Sequence, residues 1–221
     1  MDKPVRVKIA ISSVRKFSSR TLPVIVPSLL QSVEAKDIFV FEGGYDERWW
    51  EILEGITHIR VAHNSFDYTA LIDIVENKIE SDYWFLLHDT CKAGPNFGEL
   101  VRDIPAGNPD VVCMLGHNPG TMNICAYKYS YLLSKKEQIL DLKNTNYKDL
   151  DGAKRKATEA ENMLQEEYVL YHPELFEITN SERIPSVYME GGINRNERYF
   201  KNLDITKYQA NYGNSGWVLD L

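Results

Sequence analysis

Short apolar runs and helix-period segments alternate along the first half of the chain. Apolar runs of this length are typical of buried strands. We predict strands at residues 5–12, 37–42, 58–62, 83–87 and 110–115. Between them, apolar spacing and capping residues predict helices near residues 22–30, 46–53 and 65–80. This alternation indicates an α/β fold with a mostly parallel sheet that helices cover on both faces.

The pattern changes after Gly116. Residues 118–134 are rich in aromatic and apolar side chains and fit a strand that leads into a helix. From Leu150 to Tyr171 the apolar residues fall on one helical stripe, which predicts a long amphipathic helix that ends before Pro173. We expect a single domain over residues 1–221, with residues 1–116 and 117–221 as its two halves.

Composition narrows the class of protein. The 221 residues are 43% hydrophobic and carry a formal charge of -7, which argues against a nucleic-acid-binding surface. No run reaches the roughly 18 apolar residues of a membrane span, and the start of the chain lacks the apolar core of a signal peptide. The odd cysteine count, without a pair-spaced motif, suits a reducing compartment. We therefore expect a cytoplasmic protein without a transmembrane segment.

Residues 82–94 carry the most informative local pattern. The apolar run from Tyr83 to Leu87 ends in the polar sequence His88-Asp89-Thr90, and a Gly-Pro break follows. In open α/β sheets, ligands bind at the carboxyl ends of the strands, where Asp89 is predicted to lie. The glycine fingerprints of dinucleotide and P-loop sites are absent from the sequence. A strand-end aspartate that caps the following turn is the alternative interpretation of Asp89.

Three local features of the first half of the chain belong together. The first strand ends in Ile11-Ser12-Ser13, with Arg15 in the polar loop that follows. The stretch 63–70, His-Asn-Ser-Phe-Asp-Tyr-Thr-Ala, leads into a helix one strand before the polar cluster. Finally, residues 88–91, His-Asp-Thr-Cys, end the fourth predicted strand. Together these features resemble GT-A fold glycosyltransferases, nucleotide-sugar-dependent enzymes with small soluble forms in bacteria and large DNA viruses. Residues 88–91 lie at the place of that family's Asp-x-Asp motif. The resemblance covers the first half of the chain well and the second half only by analogy.

The resemblance implies a GT-A-type, Rossmann-like central sheet in which residues 1–116 bind a nucleotide sugar and residues 117–221 bind the acceptor. It also implies a UDP-sugar donor and a divalent Mn²⁺ or Mg²⁺ ion that Asp89 holds on the diphosphate. The second acid of the motif is replaced by Cys91, so one carboxylate would share the ion with phosphate oxygens and water. His88 could assist with Mn²⁺, but strand alternation points it away from Asp89, which favours Asp89 alone.

The same resemblance assigns donor-binding roles to side chains near the predicted strand ends. Hydroxyls after the first strand would hold base and ribose, Arg15 would reach a phosphate, and Glu42 would accept from uracil or ribose. Residues of the 63–70 stretch would contact nucleoside or sugar. Ordinary capping or solvation explains each residue equally well. The full set of candidate donor-binding residues is Ser12, Ser13, Arg15, Glu42, Asn64, Asp67, Tyr68, His88, Asp89 and Arg195.

Acceptor activation needs a base, and Glu190 lies in a glycine-flanked stretch suited to that role. Asp141 and Asp204 are rival candidates, and an exposed loop acid is the plain alternative. Arg195 and Arg198 would close over the diphosphate, and ordinary surface charges are the alternative. A late metal-binding histidine would be His117 rather than His172, although a structural or exposed position is favoured for both. Aromatic residues of the second half suit sugar binding as well as a core: Tyr188, Tyr199, Tyr208, Tyr212 and Trp217.

We therefore expect a metal-dependent glycosyltransferase that moves a hexose or deoxyhexose from a UDP-sugar to a glycan or another hydroxyl acceptor. Two alternatives remain. A nucleotidyltransferase of related fold would place a glycine-rich basic loop after the first strand, and residues 14–20 hold the charges without glycine. A degenerate, non-catalytic module that binds a glycan or another partner is favoured by the missing second acid.

Overall fold

Residues 5–116, 123–146, 148–180 and 197–208 are described by the structure, a computed structural model, and they form two β-sheets flanked by helices. The main sheet consists of β1 (Val7–Val14), β2 (Ile38–Gly43), β3 (Trp49–Leu53), β4 (Ile56–Val61), β5 (Tyr83–His88), β7 (Val111–Cys113), β8 (Cys125–Lys128) and β9 (Val169–Leu170). The smaller sheet consists of β6 (Cys91–Ala93), β10 (Ile178–Asn180), β11 (Glu197–Phe200) and β12 (Ile205–Tyr208). The helices are α1 (Arg15–Leu29), α2 (Thr69–Asn77), α3 (Phe97–Arg102), α4 (Tyr129–Ser134), α5 (Lys136–Asp141) and α6 (Leu150–Glu159).

The main sheet has the order β3-β4-β2-β1-β5-β8-β7-β9. Its centre is parallel, because β1 pairs in parallel with both β2 and β5, and β2 pairs in parallel with β4. The strands β3 and β8 are antiparallel to their neighbours. A mixed α/β fold with a large, mostly parallel sheet is thereby confirmed, and all five predicted strands are present.

Both faces of the sheet are covered, which explains why its central strands read as continuous apolar runs. On one face, α1 packs Ile25 and Leu29 against Ile9 and Ile11. On the other face, α2 packs its apolar residues against Phe41 and neighbouring strands. The helix α1 starts at Arg15, earlier than predicted, and contains Pro23 and Pro27.

The helix predicted at residues 46–53 is wrong, because this segment forms β3. The turn Glu54-Gly55 has positive φ at both residues (51° and 84°), and β3 pairs with β4 on either side of it. Two residues in this conformation form the tight turn that suits the right-handed twist of a hairpin. Gly55 therefore closes a hairpin, although its position after an apolar segment is equally typical of a helix end.

The long helix predicted from Leu150 is shorter than expected. Asp149 caps α6 by accepting a hydrogen bond from the Gly152 N–H (2.8 Å), and the helix ends at Glu159. Asn162 then adopts a left-handed conformation (φ 74°) and the chain turns toward β9. Leu164 and Tyr171 are fully buried outside the helix, so their helical spacing is coincidental. The described part of 118–134 does run from a strand, β8, into a helix, α4.

Two of the three cysteines are paired, although the sequence shows no pair-spaced motif. Cys113 and Cys125 lie opposite each other on β7 and β8 and form a disulfide, whereas Cys91 is free and buried. Their sequence separation of 12 gives no pair motif, and only the antiparallel return of the chain brings the two residues together. Within the described ranges, none of the helices combines the length and the apolar character required to cross a bilayer.

The smaller sheet is antiparallel, with the order β10-β11-β12-β6. Its strand β6 follows β5 directly, and β12 pairs with β6 so that Lys207 lies opposite Cys91. This pairing brings residues from the end of the described chain to the carboxyl edge of the main sheet.

Candidate active site

The parallel strands β1, β2, β4 and β5 end at one edge of the main sheet. Nearly all the predicted donor-binding residues that the structure describes lie at this edge or in the loops that leave it. Because the carboxyl ends of parallel strands form the usual ligand crevice of open α/β sheets, the edge is the candidate active site. Hydrogen bonds join the Asp89 carboxylate to β1 and α1, and the Asp67 carboxylate lies beside His88 at the end of β5.

Asp89 lies at the centre of this edge, directly after β5. Its Oδ2 accepts hydrogen bonds from the Ser13 hydroxyl (2.6 Å) and the Thr21 hydroxyl of α1 (2.8 Å), and its N–H bonds to the Ser12 carbonyl (3.2 Å). Burial raises the pKa of the Asp89 carboxyl, and the two hydroxyls and the charge of Lys207 partly offset this rise. The two hydroxyls therefore hold the Asp89 side chain in place through Oδ2. The described residues donate no hydrogen bond to Oδ1.

Asp67 is a second carboxylate at the edge, in the turn before α2. Its Oδ1 lies 3.4 Å from His88 Nε2, and its carbonyl accepts a hydrogen bond from the Ser12 hydroxyl (2.9 Å). The Ser12 oxygen also accepts from the Ala70 N–H (3.1 Å), so this hydroxyl fixes the start of α2. Burial raises the pKa of Asp67 to about 6. Ser12 thus has a structural role, because its hydroxyl holds the turn that carries Asp67. Asp67 and His88 lie side by side at the edge.

Two lysines complete this charged cluster, and sequence reasoning missed both. Lys207 of β12 donates a hydrogen bond to the Thr90 hydroxyl next to Asp89. Its positive charge lowers the pKa of both Asp67 and Asp89, and Lys154 of α6 acts in the same direction on Asp67. The sequence contains no signal for this contact, because Lys207 and Thr90 are 117 positions apart and meet only through the smaller sheet.

An aromatic and basic cluster borders the edge beside β2. Arg15 lies over the Tyr45 ring at 4.7 Å, and the Arg60 guanidinium stacks on Tyr45 (5.2 Å) and on Trp49 (4.1 Å). Glu42 is buried, and its Oε1 accepts a long hydrogen bond from the Tyr45 hydroxyl (3.5 Å). Burial, followed by the negative charge of Glu42, raises the pKa of Tyr45. Tyr45 was not among the predicted residues, although its position two residues after the strand end could have indicated it.

Asn64 and Tyr68 are directed into the protein. Asn64 is fully buried, and its Oδ1 accepts from the Phe66 N–H (3.3 Å). Tyr68 is buried and donates its hydroxyl to the Ala160 carbonyl (2.6 Å). Both shape the loop that carries Asp67, in which Phe66 adopts a left-handed conformation (φ 51°). Their predicted contact with a nucleoside or sugar stays a prediction.

No protein-family model matches the chain, and no curated protein matches it either. Among solved structures, it resembles the crystal structure of the glycosyltransferase GlyE from Streptococcus pneumoniae TIGR4, with 13% identity and a TM-score of 0.47. The match covers 74% of this chain and 45% of that chain, so the chain spans less than half of that structure's length. No family is assigned on this basis.

Several predicted residues fall outside the described part of the chain. They include the candidate base Glu190, Arg195, His117, Tyr188, Tyr212 and Trp217. Of the rival bases, Asp204 is buried and accepts hydrogen bonds from the Asn96 N–H (2.9 Å) and the Tyr199 hydroxyl (3.0 Å). This bonding gives Asp204 a structural role. Asp141 is exposed at the end of α5, and His172 Nε2 lies 3.1 Å from the Leu100 carbonyl.

The described residues at the edge offer few ligands to a divalent metal. Within the described ranges, no group of three or more His, Cys, Asp and Glu side chains could hold a metal ion. Cys91, at the place of the second acid, is buried, and its thiol pKa is raised to about 11, so it is not a thiolate ligand. Asp89 offers one carboxylate oxygen. A metal fits here if phosphate oxygens and water complete its coordination, as Mg²⁺ commonly requires.

Proposed function

We propose that the chain is a GT-A-type glycosyltransferase that transfers a hexose or deoxyhexose from a UDP-sugar to a hydroxyl of a glycan or another acceptor. The observation that carries this proposal is Asp89, because it is a half-buried carboxylate at the carboxyl end of a central parallel strand. Hydroxyls from β1 and α1 fix one of its oxygens. A fixed carboxylate at such a crevice suits a diphosphate-bound Mn²⁺ or Mg²⁺ ion.

The residues around Asp89 suggest how the donor would lie. The Glu42 carboxylate, beside the Tyr45 hydroxyl, provides an acceptor for a base or ribose. Arg15, at the start of α1, lies over the Tyr45 ring and provides a positive charge for a phosphate. When bound, the metal ion would neutralise charge on the departing nucleoside diphosphate.

The proposed reaction is a substitution at the anomeric carbon. The acceptor oxygen forms a new bond to this carbon, the bond to the diphosphate oxygen breaks, and UDP leaves with the bonding electrons. The acceptor proton passes to a base, for which Glu190 stays our candidate. Residues 117–221 are proposed to bind the acceptor, and the donor half is proposed to be residues 1–116.

Calorimetric titration of UDP, CMP and GDP, with and without Mn²⁺, tests this function. We expect Mn²⁺-dependent UDP binding in the wild type and at least about tenfold weaker binding in Asp89→Asn. Asparagine retains an oxygen for the Ser13 and Thr21 hydroxyls but lacks the charge, so the fold should persist. Asp103→Ala, at an exposed position after α3, is the control. A wild type that binds none of these nucleotides would refute the proposal.

A non-catalytic binding module is the second candidate function, and Cys91 is the observation that favours it. The residue at the place of the second acid is a buried thiol, which leaves Asp89 as the single carboxylate there. Slow hydrolysis of a UDP-sugar separates the two candidates. An active transferase should release some sugar to water, whereas a module that only binds should release none above the Asp89→Asn background.

A further inference from the structure

Lys207 lies at the candidate site because of the way β12 pairs with β6. It is half-buried on β12, opposite Cys91 of β6, and Cys91 is two residues after Asp89. The Tyr208 N–H also donates to the Thr90 carbonyl (2.9 Å), which fixes β12 against the residue beside Asp89. The lysine therefore lies at this edge because of the register of the smaller sheet.

Among the described residues, a single hydrogen bond engages the Lys207 ammonium group, and most of its donors are available. A lysine has three N–H donors and no acceptor, and Thr90 Oγ1 takes one of the three. The charge of Lys207 acts on both Asp67 and Asp89, although the lysine forms a direct ion pair with neither of them. A polyanion with several oxygens is the type of ligand that could use the remaining donors.

The charges of the cluster also favour a positive group at this point. Asp67 and Asp89 would repel an incoming diphosphate, and the missing second metal-binding acid leaves the metal ion with one carboxylate. Lys207 balances part of this negative charge at short range, where solvent screens the interaction less than at the surface. Without it, Arg15, Lys154 and a bound metal ion would have to supply the positive charge.

We propose that Lys207 binds the diphosphate group of the donor and, after transfer, of the departing nucleotide, beside Asp89 and Thr90. This inference rests on the proposed function and adds a residue that no sequence motif indicated. In it, Lys207 contacts phosphate oxygen directly, and a bound metal ion and the lysine share the neutralisation of the diphosphate.

Titrations of inorganic pyrophosphate, UDP and uridine into the full chain, with Mn²⁺ or with a chelator, test this inference. Lys207→Gln keeps a donor for Thr90 but lacks the charge. We expect it to weaken pyrophosphate and UDP binding by about tenfold or more, since hydrogen bonds to charged groups are the strong ones. Uridine, which lacks phosphate, should bind equally well to both proteins. Lys207→Arg should recover most of the affinity.

Two further variants separate ligand binding from a structural role. Thr90→Val removes the partner of Lys207 inside the protein and should keep pyrophosphate binding within a few-fold of the wild type. Lys92→Gln is the matched control, because Lys92 is an exposed lysine on the adjacent strand and lies opposite Thr206. Thermal melting of each variant would check the fold.

The possible results are distinct. Equal pyrophosphate affinity in Lys207→Gln and the wild type overturns the inference, while UDP binding by the wild type leaves the proposed function standing. If Thr90→Val loses as much affinity as Lys207→Gln, the lysine acts through the strand contact, and the inference also fails. A wild type that binds neither pyrophosphate nor UDP overturns both proposals.

Discussion

Asp73 is an acidic residue on the inner part of α2, where it is almost completely buried. Arg48 pairs with it through two parallel hydrogen bonds, from Nε to Oδ1 (2.8 Å) and from Nη2 to Oδ2 (3.0 Å), and Asn77 donates a further bond to Oδ1 (2.8 Å). A carboxylate in such surroundings needs these partners, because burial of an unpaired charge is strongly unfavourable.

Arg48→Met should therefore lower the free energy of unfolding by about 2–4 kcal/mol, which denaturant titration would measure. Lys36→Met is the matched control. It breaks the Lys36–Glu34 pair, whose side chains are 65% and 68% exposed, and should leave the free energy of unfolding nearly unchanged, because solvent screens exposed ion pairs. Equal effects of the two substitutions would contradict a special role for the buried pair.

At the scale of elements, α3 depends on the absence of a side chain at Gly98. A Cβ at this residue would lie 2.0 Å from the Ser32 carbonyl oxygen, which belongs to the backbone after α1. The Gly98 N–H also donates to the Ser32 hydroxyl (3.0 Å), and Arg102 donates to the Ser32 carbonyl (2.9 Å). The glycine thus allows α3 to approach the chain closely enough for these bonds.

We expect Gly98→Ala to destabilise the protein by about 2–4 kcal/mol, because the backbone of the neighbouring segment must shift. Gly107→Ala serves as a comparison. Gly107 has a positive φ of 95°, but a Cβ at this residue would meet no described atom within 4 Å, so the substitution should cost about 1–2 kcal/mol from backbone strain alone. A smaller loss at Gly98 than at Gly107, measured by thermal unfolding, would contradict this account.

The sequence predicted the elements whose burial leaves a clear pattern. The central strands are buried on both faces and therefore appear as apolar runs, and Asp89 was located by the end of one of them. The hairpin strand β3 was missed because an apolar segment before glycine fits either a helix end or a hairpin. The short strands β6 and β12 have too few residues to show a period, so the contact between Lys207 and Thr90 could not be predicted.

For the whole molecule, His63 links stability to pH. Only 2% of the His63 surface is exposed to solvent, and burial lowers the pKa of its imidazole to about 4. The unfolded chain binds a proton at this residue below about pH 6.5 and the folded protein does not until about pH 4. Folded stability is therefore lost as the pH falls through this interval.

We expect the free energy of unfolding of the wild type, relative to His63→Gln, to fall by up to about 1.4 kcal/mol per pH unit between pH 6.5 and 4. Denaturant titrations of both proteins across this range would measure the difference. If the difference in unfolding free energy between the wild type and His63→Gln does not change with pH, His63 is not a buried neutral group.

Asp67→Asn tests a pH dependence of the opposite sign. Because the pKa of Asp67 is raised to about 6, the wild type should lose stability relative to this variant as the pH rises from 4 to 6.

The pairing of β6 with β12 has a consequence for the order in which the site forms. Strands β1, β2, β4 and β5 come from the first 88 residues, and their contacts are comparatively local. The contact between Thr90 and Lys207 spans 117 positions, and contacts of this separation form slowly because a long loop must close first. A folding chain can therefore position Asp89 on a nearly complete parallel sheet before the lysine arrives, and its site becomes complete in a late folding step.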